Sequence, residues 1–290
     1  MLTVAAPAKL NLSLDVLGTR QDGYHEIRSV VQTVSLCDQV RLRAAPGLVV
    51  DSPIAPPTAD LAWRAATLLQ QRYQVRSGAH IALDKAIPIG AGLGGGSADA
   101  AAVLVGLNQL WELGLSASEL TLVAAELGSD VPFMIQGGTA LIEGRGERVT
   151  QLRAPGHPWF VVAMPKMELS TAEVYARARP GDGRRSERLL AEMASGTWQP
   201  AGNDLTEAAW EVLPMLGALT DGLAARAGVR PELTGSGSAL FWLVPSRKAG
   251  QELAARLPPG LVVRVVEAVE EKSVERAKAT ADRGRDRGAD

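Results

Sequence analysis

Strict alternation of apolar and polar residues near the start of the chain predicts a β-strand. Over residues 9–16, KLNLSLDV, every second residue is apolar, and the residues between are Lys9, Asn11, Ser13 and Asp15. Successive side chains of a strand point to opposite faces, so the pattern predicts one apolar and one polar face. Further strand-like runs lie at residues 28–44, 79–89, 157–165, 240–245 and 261–269.

Helical spacing with cap residues in front of it predicts the helices. Residues 61–73 form an amphipathic pattern after two candidate caps, Thr58 and Asp60. Residues 97–114 predict a helix capped by Ser97 and closed by Gly114. Residues 116–128 and 246–257 predict two more, the first opening with a capping box formed by Ser116 and Glu119 or by Ser118 and Thr121. Because long β segments precede the helices, the pattern indicates an α+β fold.

Composition narrows the class of protein. Of 290 residues, 46% are hydrophobic and 21% charged, which is typical of a globular protein with a substantial core. A net charge of −2 and 4% aromatic residues argue against nucleic acid as a partner. Cys37 is the single cysteine, so no internal disulfide forms, and its strand-like surroundings predict a buried, inert thiol. The chain shows no basic leader and no run of 18 apolar residues, which predicts a cytoplasmic protein without a membrane partner. We expect a monomer or a weak homodimer.

A dense glycine run forms the main chemical signal. Five of the seven residues 90–96 are glycine, and Gly90, Gly92 and Gly95 satisfy G-x-G-x-x-G. A dinucleotide fold is excluded because two helices follow instead of a strand that ends in an acid. A Walker A loop is excluded because the run lacks its lysine, and no protein-kinase motif follows. Two interpretations remain, a backbone cradle for phosphate at a helix N-terminus and a tight strand-to-helix connection.

Three stretches together resemble a known family. The run PIGAGLGGGSADAA, residues 88–101, is similar to the phosphate loop of the GHMP kinases, which act on small molecules. Residues 7–27 and 233–242 are similar to the first and third motifs of that family, and the resemblance covers residues 3–268. AKLNL followed by DGYHE, with LGSDVPF, EGRGE and GNDL, resembles the branch that phosphorylates the tertiary 2-hydroxyl of 4-diphosphocytidyl-2-C-methyl-D-erythritol in non-mevalonate isoprenoid synthesis.

The resemblance implies a two-domain GHMP kinase fold. It implies a ribosomal-protein-S5-like, ATP-binding domain over residues 1–155 and a ferredoxin-like domain over residues 156–270. The charged residues 271–290 are interpreted as a frayed helix or disordered tail. ATP and Mg²⁺ are the implied cofactors, with the ion held mainly by the nucleotide and no protein ligand to metal.

The resemblance also implies which residues act. Asp130 is the implied base and Lys9 the implied charge stabiliser, although local sequence also fits a helix N-cap for Asp130 and a solvated strand face for Lys9. The implied ATP-binding residues are Pro88, Ile89, Gly90, Ala91, Gly92, Leu93, Gly94, Gly95, Gly96, Ser97, Ala98 and Asn108. The implied substrate-binding residues are Asn11, Tyr24, His25, Thr171 and Tyr175, and either tyrosine fits the core equally well.

A few further residues are lesser candidates for the site, and one residue departs from the pattern of the family. Ser170 is a secondary substrate candidate, and Gly235, Ser236 and Gly237 either close the site or form a structural turn. Asn203 and Asp204 are interpreted as a helix cap. Asp60 stands where related kinases usually carry asparagine near the adenine, which puts the adenine contact there in doubt.

Two alternative functions stay open at this point. The chain could be another GHMP kinase, acting on mevalonate derivatives, homoserine or a sugar. It could also be a catalytically silent nucleotide-binding regulator, although the presence of both Lys9 and Asp130 argues against lost chemistry.

Overall fold

The strands form two sheets in the computed structural model, which describes residues 1–54, 57–270 and 278–279. The first sheet has nine strands and the second has four, in the order β10-β11-β8-β12. In chain order the strands are β1 (Leu2–Asn11), β2 (Ser13–Thr19), β3 (His25–Ala45), β4 (Leu48–Asp51), β5 (Gly78–Asp84), β6 (Thr139–Gly144), β7 (Arg148–Leu152), β8 (Trp159–Met164), β9 (Gly202–Asn203), β10 (Glu232–Leu233), β11 (Leu240–Val244), β12 (Val262–Glu267) and β13 (Lys278–Ala279).

The helices cover the sheets and confirm a mixed α and β architecture. A short 3₁₀ turn, Pro57–Ala59, precedes the first of them. In chain order the helices are α1 (Leu61–Arg72), α2 (Gly95–Leu110), α3 (Ala117–Ala124), α4 (Val131–Gln136), α5 (Thr171–Arg177), α6 (Arg184–Ser195), α7 (Thr206–Val212), α8 (Pro214–Ala227) and α9 (Arg247–Ala254). Within the described ranges, no helix combines the length and the apolar character needed to cross a bilayer.

Strand β3 organises the first sheet. It is 21 residues long and pairs antiparallel with β1, β2, β5 and β6. Its middle is rich in valine, which favours the extended backbone and packs well on a pleated surface. Helix α2 lies on β1 and β3 through small residues: a Cβ added at Gly106 would stand 2.6 Å from Leu42. At the other end of the helix, Lys9 N of β1 donates to Leu93 O at 2.9 Å, so the glycine run before α2 lies beside β1.

The polar face predicted for residues 9–16 is not exposed to solvent. Lys9, Asn11, Ser13 and Asp15 are all buried. Helix α6 covers part of this face, because the Asp15 carboxylate accepts hydrogen bonds from the first-turn amides of Arg185 and Ser186. The alternation therefore predicts extended backbone correctly, but Leu12 interrupts it, so residues 9–16 span the end of β1 and the start of β2. The second face packs against residues far along the chain.

Two of the predicted helix caps are confirmed. The Asp60 carboxylate accepts a 2.8 Å hydrogen bond from Ala62 N and caps α1, in place of Thr58. Ser116 and Glu119 form the capping box of α3, so the alternative pair is excluded. Both caps involve partners within three residues, which explains why local sequence identifies them.

The predicted cap of α2 is wrong. Gly94 occupies the N-cap position with φ +72°, and the helix begins at Gly95, so Ser97 lies inside the first turn. A glycine adopts this left-handed conformation without steric cost. The helix ends at Leu110 instead of reaching Gly114, because Glu112 already has φ +54°.

Asn203 and Asp204 do not cap α7, whose N-cap residue is Leu205. The Asn203 amide donates to the carbonyl oxygens of Leu233 and Gly235, at 3.0 and 2.7 Å. Asp204 accepts a hydrogen bond from Val16 N and pairs with Arg185. These two residues hold separate parts of the fold together.

Three further predictions concern the thiol, the domains and the tail. Cys37 is half-buried, and burial, with a smaller contribution from Asp38, raises the pKa of its thiol to about 11, consistent with an inert role. The boundaries of the two predicted domains stay a prediction. The predicted tail lies outside the described residues, except for β13, which pairs antiparallel with the start of β1.

Candidate active site

The glycine run lines a cavity of about 330 Å³ at the N-terminus of α2. Residues 88–97 all face it, together with Lys9, Asn11 and Asp130. Gly90, Gly92 and Gly94 have φ values of +70°, +75° and +72°, which only glycine adopts readily. The unpaired amides and the dipole of the helix N-terminus attract an anion. Of the two interpretations left by the sequence, this geometry favours the phosphate cradle.

Backbone hydrogen bonds from both ends of the chain hold the glycine loop in shape. Lys9 N donates to Leu93 O at 2.9 Å, and Ala239 N donates to Ala91 O at 3.0 Å. A Cβ at Gly92 would overlap the carbonyl oxygen of Thr234. Glycine is therefore required at position 92 by close backbone approach as well as by its φ value.

The structure brings the two predicted catalytic residues together. Lys9 Nζ lies 3.8 Å from Asp130 Oδ2, with the lysine side chain 5% exposed and the aspartate side chain 33% exposed. Asp130 occupies the N-cap position of α4 but makes no capping hydrogen bond. Its carboxylate faces the cavity instead, which leaves it available to a bound substrate.

Asn11 lines the cavity, but its side chain is already engaged. Its Oδ1 atom accepts a 2.6 Å hydrogen bond from Lys9 Nζ, and its Nδ2 group donates to Ser29 Oγ at 2.9 Å. The predicted contact of Asn11 with substrate stays a prediction. The observed contacts give Asn11 an additional part in orienting the lysine ammonium.

A second cavity, of about 630 Å³, adjoins the first. Ser97, Asp130, Thr171 and Tyr175 line both cavities, so Asp130 stands where they meet. The second cavity also contains the predicted residues Tyr24 and His25. A ligand that spans both cavities would pass directly over the Asp130 carboxylate.

Aromatic rings form one end of the second cavity. The rings of His25 and Tyr175 lie 5.2 Å apart at 39°, and the Arg145 guanidinium lies 4.7 Å from the centre of the Tyr24 ring. Tyr24 is 54% exposed, so it is not a core residue. Burial raises the pKa of Tyr175, with the negative charge of Asp130 adding to the effect, so this phenol stays neutral.

The glycine turn near the end of the chain closes the first cavity. Gly235 and Ser236 line it, and Ser236 Oγ lies 2.9 Å from Thr171 Oγ1. Gly237 does not line it. Ser170 acts as the N-cap of α5, where its hydroxyl accepts from Glu173 N.

Two of the predicted nucleotide-binding residues, Ala98 and Asn108, do not line the cavities, and neither does Asp60, where the adenine contact is in doubt. Ala98 is buried and its amide donates to Gly94 O as the first bond of the helix. Asn108 lies near the far end of α2, where both ends of its amide bond the backbone of Leu115, at 3.0 Å each. Asp60 is buried beneath the start of α1. A helix rises about 1.5 Å per residue, so Asn108 lies far from the N-terminus of α2, whereas Ala98 adjoins Ser97 but has its amide engaged within the helix. Their contact with nucleotide stays a prediction.

Sequence reasoning missed a charged cluster below the glycine loop. The Lys85 ammonium pairs with both Asp38 and Asp99, and the two carboxylates are buried. Asp38 also accepts hydrogen bonds from the amides of Ala86 and Ile87, at 2.6 and 2.8 Å. Burial raises the pKa of Asp99 to about 7, against the opposing effect of Lys85. The available signal was Asp99, the one charged residue of α2.

Arg145 was the second omission. It lies in the EGRGE stretch, which the sequence comparison treated only as a family marker. The structure places its guanidinium in the second cavity, beside Tyr24. Its position follows from the β6–β7 connection, which returns to the loop that carries Tyr24.

The donors around the cavities suit Mg²⁺ held by phosphate more than a metal held by protein. Among the described side chains, no group of three or more His, Cys, Asp or Glu residues is placed to bind a metal. The Asp130 carboxylate and the Ser97 hydroxyl provide two oxygen donors where the cavities meet. Mg²⁺ usually takes one or two protein oxygens and completes its shell with phosphates and water, so these donors fit the ion.

Another cavity, of about 610 Å³, lies behind the glycine turn and contains five arginines. Four of them pair with carboxylates: Arg185 with Asp204, Arg179 with Glu211, Arg188 with Glu192 and Arg230 with Asp221. These pairs offset most of the positive charge. The cavity lacks the amide cradle and the Lys9–Asp130 pair, so it is not the candidate active site.

The chain is similar to proteins of a known family. Residues 60–138 match the family model described as the GHMP kinases N terminal domain. A protein of Brevibacillus brevis named 4-diphosphocytidyl-2-C-methyl-D-erythritol kinase is 42% identical to this chain, over 84% of this chain and 87% of the relative. The relative of the same name in Symbiobacterium thermophilum is also 42% identical, over 89% of this chain and 96% of its own length.

Solved structures extend the comparison to the fold. A crystal structure of 4-(cytidine 5'-diphospho)-2C-methyl-D-erythritol kinase has a TM-score of 0.79 at 33% identity and covers 92% of this chain and 98% of its own. A homoserine kinase from Cytophaga hutchinsonii has a TM-score of 0.71 at 18% identity, covering 93% and 95%. At that identity the second likeness shows the shared fold alone.

Proposed function

Because the chain belongs to the 4-diphosphocytidyl-2-C-methyl-D-erythritol kinases within the GHMP kinases, we propose that it transfers the γ-phosphoryl group of ATP to the tertiary 2-hydroxyl of that cytidyl alcohol. The observation that carries this proposal is the Lys9–Asp130 pair, which stands between an amide-lined cavity and an aromatic-lined one. The first cavity suits a triphosphate and the second suits a nucleobase.

Asp130 is the proposed base. A tertiary alcohol is a crowded and weakly acidic nucleophile, so it needs a positioned acceptor for its proton as the phosphoryl group moves. The Asp130 carboxylate makes no cap bond and is one-third exposed at the junction of the two cavities. It therefore takes the hydroxyl proton while it holds the oxygen in line with the γ-phosphorus.

Lys9 supplies fixed positive charge at the same point. Its ammonium is almost fully buried and lies beside both Asp130 and the glycine turn, where a Cβ at Gly235 would stand 3.2 Å from Nζ. A charge held in place before the reaction stabilises the negative charge that develops on the transferring oxygens. The lysine also keeps the Asp130 carboxylate oriented towards the acceptor.

The glycine loop binds the triphosphate mainly through its backbone. The amides of Gly95, Gly96 and Ser97 belong to the first turn of α2 and have no intrahelical partner. Mg²⁺ bound to the nucleotide would add charge neutralisation there, and the Ser97 hydroxyl and the Asp130 carboxylate are the oxygens that would be available to hold it. These amides, with the helix dipole, orient the γ-phosphate towards Asp130.

The aromatic end of the second cavity is proposed to bind the cytosine. Tyr24 and Tyr175 offer ring faces for stacking, and His25 offers a ring nitrogen to the base edge. Arg145, beside Tyr24, is placed to meet the diphosphate of the substrate. Thr171 lies between this end and Asp130 and is the proposed contact to the acceptor alcohol.

A substrate panel tests the proposal. Purified protein with ATP and Mg²⁺ is offered the cytidyl alcohol, mevalonate, homoserine and galactose, and ADP release and phosphorylated product are followed. We expect turnover with the cytidyl alcohol and at least a hundredfold lower kcat/KM for the others. Turnover of one of the others without the cytidyl alcohol would contradict the proposed substrate, and ATP binding without any transfer would indicate a silent regulator.

A further inference from the structure

We propose that Thr234, in the glycine turn near the end of the chain, is a positioning residue that directs the Lys9 ammonium through Asn11. The inference rests on the proposed function only in so far as Lys9 acts in phosphoryl transfer. Thr234 is fully buried and does not line either of the two adjoining cavities. Any effect of its hydroxyl on catalysis must therefore pass through the residues that it contacts.

The Thr234 hydroxyl holds Asn11 at two points. Its oxygen accepts a 3.0 Å hydrogen bond from Asn11 N, and its proton is donated to Asn11 Oδ1 over 3.3 Å. These are contacts between residues 223 positions apart in the chain. They fix both the backbone of Asn11 and the direction of its side-chain amide.

The direction of that amide decides where Lys9 points. Asn11 Oδ1 accepts from Lys9 Nζ at 2.6 Å, while Asn11 Nδ2 donates to Ser29 Oγ. Ser29 donates its own proton to Ser13 O, so its oxygen acts as the acceptor for Asn11. Thr234 adds a second donor on the Oδ1 side, which favours this orientation over the flipped one.

Without the Thr234 hydroxyl, the amide keeps its contacts to Lys9 and Ser29 but loses the third contact that favours this orientation, and Asn11 N loses its acceptor, so the flipped amide becomes more accessible. A flipped amide would present its NH₂ group to the ammonium, which has donors only and would be left without that bond. A buried ammonium that loses a hydrogen bond moves towards another acceptor. The Asp130 carboxylate, 3.8 Å away, is such an acceptor, so Lys9 Nζ would leave Asn11 and the spacing of the Lys9–Asp130 pair would change.

The turn that carries Thr234 is itself well held. Thr234 N donates to Ala239 O at 3.2 Å, and Gly237 N donates to Thr234 O at 3.0 Å. The Asn203 amide bonds Gly235 O at 2.7 Å. Thr234 is therefore held in a fixed position, from which the C-terminal part of the chain orients a lysine in the first strand.

Steady-state kinetics of three variants test the inference. Thr234→Val keeps the shape but removes the hydroxyl, Thr234→Ser restores the hydroxyl, and Thr220→Val is the matched control. Thr220 is also buried, but its hydroxyl bonds only Leu216 O within α8. We expect kcat to fall about 10- to 100-fold for Thr234→Val, with KM for both substrates within twofold, since small misplacements cost rate more than binding. Thr234→Ser should keep most of the rate, and Thr220→Val should match wild type.

Crystal structures of wild type and Thr234→Val give a readout that does not depend on turnover. We expect Lys9 Nζ to move away from Asn11 Oδ1 in the variant, with a changed distance to Asp130 Oδ2. If Thr234→Val does not fold, Thr234→Ala is compared with Thr234→Ser in its place.

Three results would overturn the inference. These are an unchanged kcat in the valine variant, a serine variant no better than the valine variant, or an unmoved Lys9. If wild type prefers a different alcohol, the proposed substrate fails, and the same variants are compared on the alcohol that it does phosphorylate.

Discussion

Asp130 stands at the start of a helix without capping it, and this single feature separates its two possible roles. A capping aspartate would place its carboxylate against the amides of α4, whereas here the side chain makes no such bond. Pro132, early in α4, removes one of the amides that a cap would serve. The carboxylate is thus left to the cavity and to Lys9.

Replacing Asp130 by Asn should abolish the base while keeping the shape of the side chain. We expect kcat to fall by about 10² to 10⁴, the usual contribution of a general base. Affinity for a non-hydrolysable ATP analogue, measured by isothermal titration calorimetry, should stay within a few-fold. Asp84→Asn, which alters an exposed carboxylate paired with Arg41, serves as the control. A kcat above one-tenth of wild type in Asp130→Asn would contradict the assignment of the base.

For single residues, local sequence predicted the strand face of a side chain better than its burial. Alternation placed Lys9 and Asn11 on the polar face of a strand, but it did not predict that this face is buried. The residues that cover it, Thr234 and Ser186, lie more than 150 positions away. No local pattern contains that information. The roles of Lys9 and Asp130 came from the family resemblance and not from periodicity.

The glycine loop shows at the scale of an element why two glycines with similar φ values are not equivalent. Gly90 and Gly92 have φ values of +70° and +75°. A Cβ at Gly90 meets nothing within 4 Å, whereas one at Gly92 overlaps the Thr234 carbonyl oxygen and comes within 3.0 Å of Gly237. The two positions therefore separate backbone strain from steric overlap.

Alanine at each position tests this difference. Gly90→Ala should show only the cost of left-handed backbone, about 1 kcal/mol, with ATP affinity within a few-fold of wild type. Gly92→Ala should also push the loop off the glycine turn and lower ATP affinity at least tenfold. Calorimetric ATP titrations and thermal melts of both variants provide the measurement. Equal losses in the two variants would show that close approach at Gly92 is not important.

The boundaries of helices were predictable where the capping residue and its partner lie close together in the sequence. The caps at Asp60 and at Ser116 with Glu119 were recognised because their partners lie within three residues. The start of α2 was placed at Ser97 because serine is a common N-cap, but Gly94 ends the loop in a left-handed conformation. Loop conformation in a glycine run depends on the surrounding contacts, which sequence spacing does not describe.

The buried cluster of Asp38, Lys85 and Asp99 acts at the scale of the whole molecule, because it joins three segments. These are β3, the connection that follows β5, and α2. Burial raises the pKa of Asp99 to about 7 from an ordinary value of 3.8, and among the described residues its Oδ1 atom has no hydrogen-bond partner. Folding therefore holds a proton on this group more tightly than the unfolded chain does.

This shift predicts a pH dependence of stability. The stabilising contribution of protonated Asp99 is fully present below pH 3.8 and is lost as pH rises through about 7. The free energy of unfolding of wild type, measured by urea titration, should carry a component that declines over this window. Asp99→Asn should lack that component, and Asp84→Asn should retain it. Parallel curves for wild type and Asp99→Asn would contradict the prediction.

The α+β architecture was predictable from the order of strand and helix patterns, and the neighbouring kinase structures confirm the fold. The pairing within the sheets was not. Strand β3 has four partners, drawn from residues 2 to 144, and β-strands select partners by packing more than by local preference. The division into two domains stays a prediction.

The proposed cradle for the triphosphate is assembled from segments that leave the ribosome far apart in time. Residues 88–97 emerge early, yet Ala91 is bonded by Ala239, and Gly92 is pressed against Thr234. A nascent chain that has released only its first two hundred residues therefore lacks the part that shapes its own glycine loop. Competence to bind nucleotide should appear late during translation, when the second glycine segment leaves the exit tunnel.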